Sequence, residues 1–428
     1  MVETSVPRRS SFFSSLSYPQ YRLLFFSTQT TYIGRWMEIT VVTWLVLQMT
    51  NSPFLVGVLG MTRYASMLLG PFCGALADRF DRRNVLLTIQ VVYAAASLVV
   101  AALFFTAQLA IWHLFVYVVI AGICYTADCS TRAAVASGLV RREHMVSAVS
   151  LVLGSLYITS IVGPLIGGSL FDLIPMSVSF AIITGSFVLS VVSLLGIRPR
   201  KEERVNHDSV WRNLVDGLIY IRKDQVLMAL MISAALLNLT IFTYWNTLTP
   251  LFAREVLGTD AIGYGLLLAA IGTGAGAGSM ISAAMSDTRR MYRVYIAATL
   301  LWPLVLMVFA GNKLFVLSLV LLVVAGIGHG LCLTVMQSLI LLRTAPEMQG
   351  RVLGVRAFAI ATLTPGNFLA GAGAQAWGVP ATLVAESVVF FLATLFITLR
   401  MGLFKQCKLP LRPKGKAWTG TRSSRLSS

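Results

Sequence analysis

The sequence predicts an all-α membrane protein of twelve transmembrane helices arranged as two similar six-helix halves. Three observations carry that reading: twelve apolar windows of spanning length, a lopsided distribution of basic residues between alternate loops, and short motifs that recur in the second half. With 57% hydrophobic and 12% charged residues and a mean hydropathy of +0.78, the 428-residue chain is too apolar for an ordinary water-soluble globule.

The N-terminus is Ser-rich and carries Arg8 and Arg9 before an apolar segment that starts near Tyr21. That segment runs a full span, so it reads as a first membrane helix and not as a cleaved signal. The windows fall near 22 to 48, 54 to 77, 84 to 106, 110 to 133, 146 to 170, 176 to 197, 226 to 250, 262 to 286, 292 to 311, 314 to 342, 353 to 375 and 379 to 400. The units are then a tail over 1–21, a first half over 22–197, a central loop over 198–225, a second half over 226–400 and a basic tail over 401–428.

Basic residues fix the sidedness, because cytoplasmic loops hold the excess of Lys and Arg. With both termini in the cytoplasm, that face takes the basic tails, Arg79, Arg82, Arg83, Arg132, Arg141, Arg142, seven residues from Arg198 to Lys223, and Arg289, Arg290, Arg293, Arg343 and Arg351. The opposite face holds only Arg254 and Lys313, and Arg35, Arg63 and Arg356 fall within spans. The net charge of +17 would suggest nucleic acid in a soluble protein; beside apolar spans it points to anionic lipid. Five cysteines are scattered without a metal or redox spacing and read as packing residues.

In the central loop Val210, Leu214, Leu218 and Ile221 recur at helical spacing behind Asp208 or Ser209 as N-cap, which suits either a short amphipathic surface helix or a linker with some helicity. The halves repeat. Ala121-Gly-Ile recurs as Ala325-Gly-Ile, Pro164 has Pro365, and Asp78 followed by Arg82-Arg83 recurs as Asp287 followed by Arg289-Arg290. Two such halves are the mark of a transporter built from repeats, with its substrate path between them.

The stretch Gly74-Ala-Leu-Ala-Asp78-Arg79-Phe-Asp81-Arg82-Arg83-Asn-Val-Leu-Leu87 surfaces between two apolar runs, because arginines so dense cannot lie in hydrocarbon. It resembles the loop 2–3 motif of the major facilitator superfamily, with Asp81 where the common form has glycine. Together with Trp44-Leu-Val-Leu and Met49-Thr-Asn-Ser-Pro53, it is similar to the bacterial branch that includes siderophore exporters, such as the enterobactin exporter, and macrolide efflux proteins. Gly163-Pro164-Leu-Ile-Gly167-Gly168 resembles the end of the superfamily's antiporter motif, found mostly in proton-driven exporters, although Thr159 stands where a glycine is usual. The same glycines also suit a kinked helix that packs closely through small residues. The resemblance covers nearly the whole chain.

Charges inside spans need partners. Arg35 and Glu38 lie three apart in the first span, and Arg63 lies at matching depth in the second, so the three are expected to cluster near the midplane. Glu38 would exchange a proton while the arginines pair with it or meet an anionic substrate group; the other reading is a buried ion pair that fixes the two helices. Asp128 and Arg132, one turn apart in the fourth span, resemble a family feature and suit a conformational lock, with Asp128 also a proton-site candidate. His329 suits either a proton relay or a packed residue among glycines. Glu386 has no charged neighbour in its own helix. Trp36, Asn238, Trp245 and Asn246 suit a pocket for bulky organic molecules, with membrane-interface anchoring the alternative for Trp245. Gly272, Gly274, Gly276 and Gly278 allow a neighbouring helix close approach, for motion or for packing.

No nucleotide loop, nucleophile elbow or metal-ligand cluster is present in the sequence, so an enzyme is not expected and energy should come from an ion gradient. The expected protein is a multi-pass, monomeric transporter of the bacterial cytoplasmic membrane that exports a siderophore-like or drug-like compound in exchange for protons. Its partners would be that small molecule, protons and anionic lipid at the cytoplasmic face, with no nucleic acid, cofactor or metal. Uptake or lipid flipping on the same fold is the alternative, and a non-transporting receptor or assembly factor is the reading from another class. The loop motif is expected to latch the halves: Asp78 would meet the N-terminus of the eleventh helix near Arg351, and Arg82 and Arg83 would pair with nearby carboxylates.

Overall fold

The computed structural model describes residues 14–69, 80–198, 210–285 and 287–401, and their regular elements are helical. The first half comprises α1 (Pro19–Thr50), α2 (Pro53–Ala65), α3 (Arg82–Phe105), α4 (Ile111–Gly138), α5 (Met145–Leu173) and α6 (Met176–Leu195). A linker helix, Val210–Arg222, leads to the second half: α7 (Gln225–Glu255), α8 (Ala261–Ala283), α9 (Thr288–Ala310), α10 (Phe315–Arg343), α11 (Pro346–Trp377) and α12 (Val379–Arg400). Ten of these are long and apolar enough to cross a membrane among the described residues. The other two are α1, 32 residues long but diluted by Arg35, Glu38 and several threonines, and α2, which a 3-10 turn at Ser66–Leu69 continues.

The helices begin where the chemistry of capping predicts. Pro19 and Pro53 open α1 and α2, Ser52 accepts from the Leu55 amide at 3.3 Å, and Asn51 adopts the left-handed conformation that ends α1. Asp81 caps α3 through the Asn84 amide at 3.2 Å, and Asp287 caps α9 through the Arg289 amide at 3.0 Å. Asp81, the residue that departs from the family motif, thus caps α3 as Asp287 caps α9. Gly74, Asp78 and Arg79 lie outside the described residues.

Two helices are irregular. α7 contains two π-helical turns, Leu237–Ile241 and Tyr244–Leu248. α11 is interrupted by a 3-10 turn, Ile360–Thr362, just ahead of Pro365, whose missing amide leaves a backbone carbonyl in that turn without its helical donor. The two breaks lie side by side: Asn238 Nδ2 donates to the Ala359 carbonyl at 3.1 Å, and Thr362 Oγ1 to the Ala235 carbonyl at 2.9 Å. Asn238 is thus a staple between breaks, which replaces its expected place in a pocket wall.

The linker helix is fixed to the second half. Gly217 sits so close to the Arg351 backbone that a Cβ would lie 2.7 Å from its carbonyl oxygen. Asp216 pairs with Arg351 at 3.0 Å, and Asp224 with Arg343 at 2.6 Å. Ile221 is buried, while Val215, Leu218 and Ile219 stay exposed as an apolar strip.

Among the described residues, the halves share a core near one face only. Trp44, Leu47 and Val56 of the first half belong to the hydrophobic core of the second, whereas Tyr21, Leu86, Leu151 and Leu194, near the face that carries the chain ends, pack only with their own half. Two glycine seams join the halves away from that tail face. On one, a Cβ on Gly57 of α2 would lie 2.6 Å from Gly371 Cα of α11. On the other, α5 meets α8, with Gly168 against the Ala261 carbonyl, Gly265 against the Pro164 carbonyl and Gly272 against Ser160. Toward the tail face the second seam ends, and Gly154 of α5 has nothing within 4 Å of where its Cβ would be.

Within the second half, Gly274 and Gly278 of α8 lie on the α10 backbone at Val323 and Ile327, and Gly326 and Gly330 of α10 answer them at Ile271 and Ala275. Gly276 faces Tyr157 at an ordinary 3.5 Å. A Gly278→Leu substitution is therefore expected to lower the melting temperature of the purified protein by several degrees while Gly276→Ala leaves it nearly unchanged; equal melting curves for the two would contradict the seam.

Candidate functional site

Glu38 and Arg63 meet as a bidentate pair between α1 and α2. Arg63 Nη1 lies 2.9 Å from Glu38 Oε2 and Nη2 lies 2.8 Å from Oε1, with Glu38 fully buried and Arg63 5% exposed. The planar guanidinium fork satisfies both carboxylate oxygens at once. The three-member cluster expected from depth alone is not formed. Arg35 turns instead to α4, where its Cζ stands 3.0 Å from the centroid of the Tyr125 ring.

Asp128 and Arg132 form a second buried pair, 2.6 and 2.9 Å apart at their two contacts. Gln90 of α3 donates to Asp128 at 2.9 Å, and Arg132 reaches Ser27, Thr28 and Thr31 of α1 at 3.1 to 3.3 Å. Thr31 and Ser27 in turn bond Ser190 of α6. The network ties α1, α3, α4 and α6 together inside the first half, and Asp128 has both oxygens occupied. Its geometry is that of a structural tie within the first half.

An aromatic file crosses between the halves. Trp36 of α1 stacks on Trp245 of α7, with centroids 5.6 Å apart and planes at 23°, and Trp44 stacks on Tyr264 of α8 at 5.5 Å. Beyond Trp245 the file continues through Phe242 to His329, which lies flat on Trp302 at 5.2 Å and 8° and meets Trp245 edge-on. His329 is enclosed by these rings, and its Nδ1 has no partner among the described residues to continue a relay. Trp245 is 7% exposed, so it packs in the interior and does not anchor at an interface. Between Arg63, Tyr64, Thr43 and Asn246 lies a cavity of about the size of one water molecule, and the Asn246 amide nitrogen nearby is buried without a partner.

Gly163, Pro164, Gly167 and Gly168 form a wedge. A Cβ on Gly163 would meet Trp36, one on Gly167 would meet Met37 and Thr40, and one on Gly168 would meet Ala261 of the other half. At the tail face, Arg83 donates to the Leu194 and Leu195 carbonyls at 3.3 and 3.0 Å. The expected carboxylate partner is replaced by the C-terminal end of α6, whose last carbonyls carry the negative end of the helix dipole. Arg82 opens α3, and Asp287 caps α9.

Two residues complete the joint away from the tail face. Arg254 of α7 donates to the Leu47 carbonyl at 2.7 Å and to the Asn51 side chain, at the C-terminus of α1. Asp172 of α5 accepts from the Ile262 amide at 2.9 Å, at the N-terminus of α8. Each charge crosses between halves to the helix end of opposite partial charge. Arg254 carries one sequence signal, its position as one of only two basic residues on its side; Asp172 carries none.

A family model described as transmembrane secretion effector matches residues 10–420. The chain is 26% identical over 341 residues to the uncharacterised MFS-type transporter YfiS of Bacillus subtilis, covering 75% of this chain and 78% of that one. It is 26% identical over 203 residues to macrolide efflux protein A of Enterococcus faecalis, covering 46% of this chain and 61% of the relative. Among solved structures, a bacterial homologue of the human lysosomal transporter Spinster, inward-facing and unoccupied, superimposes with a TM-score of 0.70 at 14% identity, over 92% of this chain and 99% of that one. A POT family transporter in complex with 5-aminolevulinic acid gives 0.70 at 14% identity, over 93% and 98%. At such identities the structures establish the fold.

Removing one member of the Glu38–Arg63 pair leaves a buried charge unmatched. Arg63→Met is expected to destabilise the protein by about 3–5 kcal/mol and Glu38→Gln/Arg63→Met to recover most of that loss. Unfolding of the wild type, both single variants and the double variant measures the coupling, and additive losses would show that the pair is not a unit.

Proposed function

Because the chain belongs to the transmembrane secretion effector family of the major facilitator superfamily, we propose that it exports a bulky organic compound from the bacterial cytoplasm in exchange for protons. The observation that carries this reading is the asymmetry of the joint between halves: glycine seams and two charged latches close one face, and no shared core spans the other among the described residues. The charge pattern assigns the open, tail-bearing face to the cytoplasm, so the conformation is inward-facing, in a multi-pass inner-membrane protein with both termini inside. Two rigid halves that rock about such a joint expose a central site to each side in turn.

The aromatic contacts between the halves support the substrate class. The Trp36–Trp245 stack spans the halves, with Trp245 packed inside and Trp36 half-buried, and Arg35 adds a cation held over the Tyr125 ring. Such a site suits a large, partly apolar molecule with an anionic or polar edge, which accords with the macrolide efflux relatives. Protonation of Glu38 would release Arg63 from its fork and free the guanidinium for substrate. The Asp128–Arg132 network keeps the first half rigid during the change.

Everted vesicles loaded with the full chain test the coupling. A proton gradient is expected to drive accumulation of a labelled macrolide, abolished by a protonophore and lowered about tenfold, equivalent to ~1.4 kcal/mol, in Glu38→Gln. Accumulation that ignores the gradient removes proton exchange, and none at all removes the substrate class. For the joint, Arg254→Ala and Asp172→Asn are expected to lengthen the distance between spin labels on the α1–α2 and α7–α8 turns; an unchanged distance distribution would overturn the latch.

A further inference from the structure

Glu386 is an intramembrane carboxylate that the pairs described above leave unused. It lies seven residues into α12, about 10 Å from that helix end, and is only partly exposed. Its Oε2 stands 2.6 Å from Thr243 Oγ1 of α7. No basic side chain among the described residues forms an ion pair with it, in contrast to Glu38 and Asp128.

The helices packed against α12 are α7, α9 and α11. Their charged and titratable groups lie elsewhere: Arg254 binds the end of α1, Glu255 ends α7, Tyr295 of α9 meets Met336, and Arg351 pairs with Asp216. Arg293 lies in the first turns of α9, Tyr244 stacks edge-on to Trp302, and Arg356 lies in the part of α11 before its 3-10 break. Thr243 is therefore the group that faces the carboxylate.

Thr243 Oγ1 is also 2.5 Å from the Thr240 carbonyl oxygen. A hydroxyl carries one proton, whereas a carbonyl and an ionised carboxylate can only accept. Three oxygens in a row therefore need a second proton, since a single one leaves one close oxygen–oxygen contact unbonded. The geometry points to Glu386 as a proton-binding site that is occupied in this conformation: Glu386 donates to Thr243, and Thr243 donates to Thr240. The proton comes from water, neutralises the carboxylate, and returns to water when the carboxylate reionises.

Thr243 also stands between the two π turns of α7. A π turn inserts one residue, so its loss or migration rotates the flanking side chains by about 100°. Trp245, which stacks on Trp36 of the other half, lies within the second turn. Proton occupancy at Glu386 thus acts on the segment of α7 that forms the contact between halves. Its place in a transport cycle rests on the exporter reading; its occupancy does not.

Infrared difference spectra of the full chain in lipid bilayers, recorded between acidic and alkaline pH, test the occupancy without any substrate. A protonated-carboxyl C=O band is expected in the wild type, lost in Glu386→Gln, shifted in Thr243→Val and retained in Glu38→Gln. Persistence of the band in Glu386→Gln, or its absence from the wild type, would overturn the assignment. Should Glu386→Gln not fold, an unshifted band in Thr243→Val would overturn it as well. A wild type that shows the band yet moves no compound under a proton gradient would count against the exporter reading alone.

Discussion

The fold depends on how closely helix backbones approach one another at glycine. Helices in a bilayer gain nothing from burying apolar side chains against each other in place of lipid, so contact must come from packing and from polar groups. Here α8 presents Gly272 to α5 of the other half, and Gly274 and Gly278 to α10 of its own. One helix therefore serves as both a fixed wall and a movable joint. Gly57 and Gly371 supply the matching joint on the far side, where helices α2 and α11 meet with no side chain between them.

Buried charge is distributed by a second rule. Glu38 pairs with Arg63 and Asp128 with Arg132, and each pair lies within the first half. A pair inside one rigid body is not pulled apart by a rearrangement of the halves, so only protonation of Glu38, and not the rocking itself, would part Glu38 from Arg63. Contacts that do cross the joint are of another kind: a stacked tryptophan pair, and single charges set against helix ends. These can separate without leaving an unmatched charge in hydrocarbon.

Composition made the helices legible, since apolar windows and basic loops are set by the bilayer alone. Matching depths along α1 and α2 also brought Glu38 toward Arg63, because rise per residue is a fixed length. Azimuth was not legible: nothing in the spacing told that Arg35 would turn to Tyr125, or that Asn238 would serve a broken helix and not a pocket. The π turns of α7 leave no mark in composition, because they depend on the neighbouring break in α11. Cap positions were not legible for a related reason. Charge spacing ignores where the helix begins, and the cap falls on Asp81.

The latches at Arg254 and Asp172 act on partial charges, and this limits their strength. A charge at a helix end contributes about 0.3–1 kcal/mol where water can reach it, and salt screens it. Two of them together amount to roughly the free energy that a bound ligand exchanges with a distant site, about 1–3 kcal/mol. The latches thus add to the closed face a margin that a tenfold difference in ligand affinity between the two conformations can cancel. Ionic strength on that side of the membrane becomes a setting of the equilibrium between them.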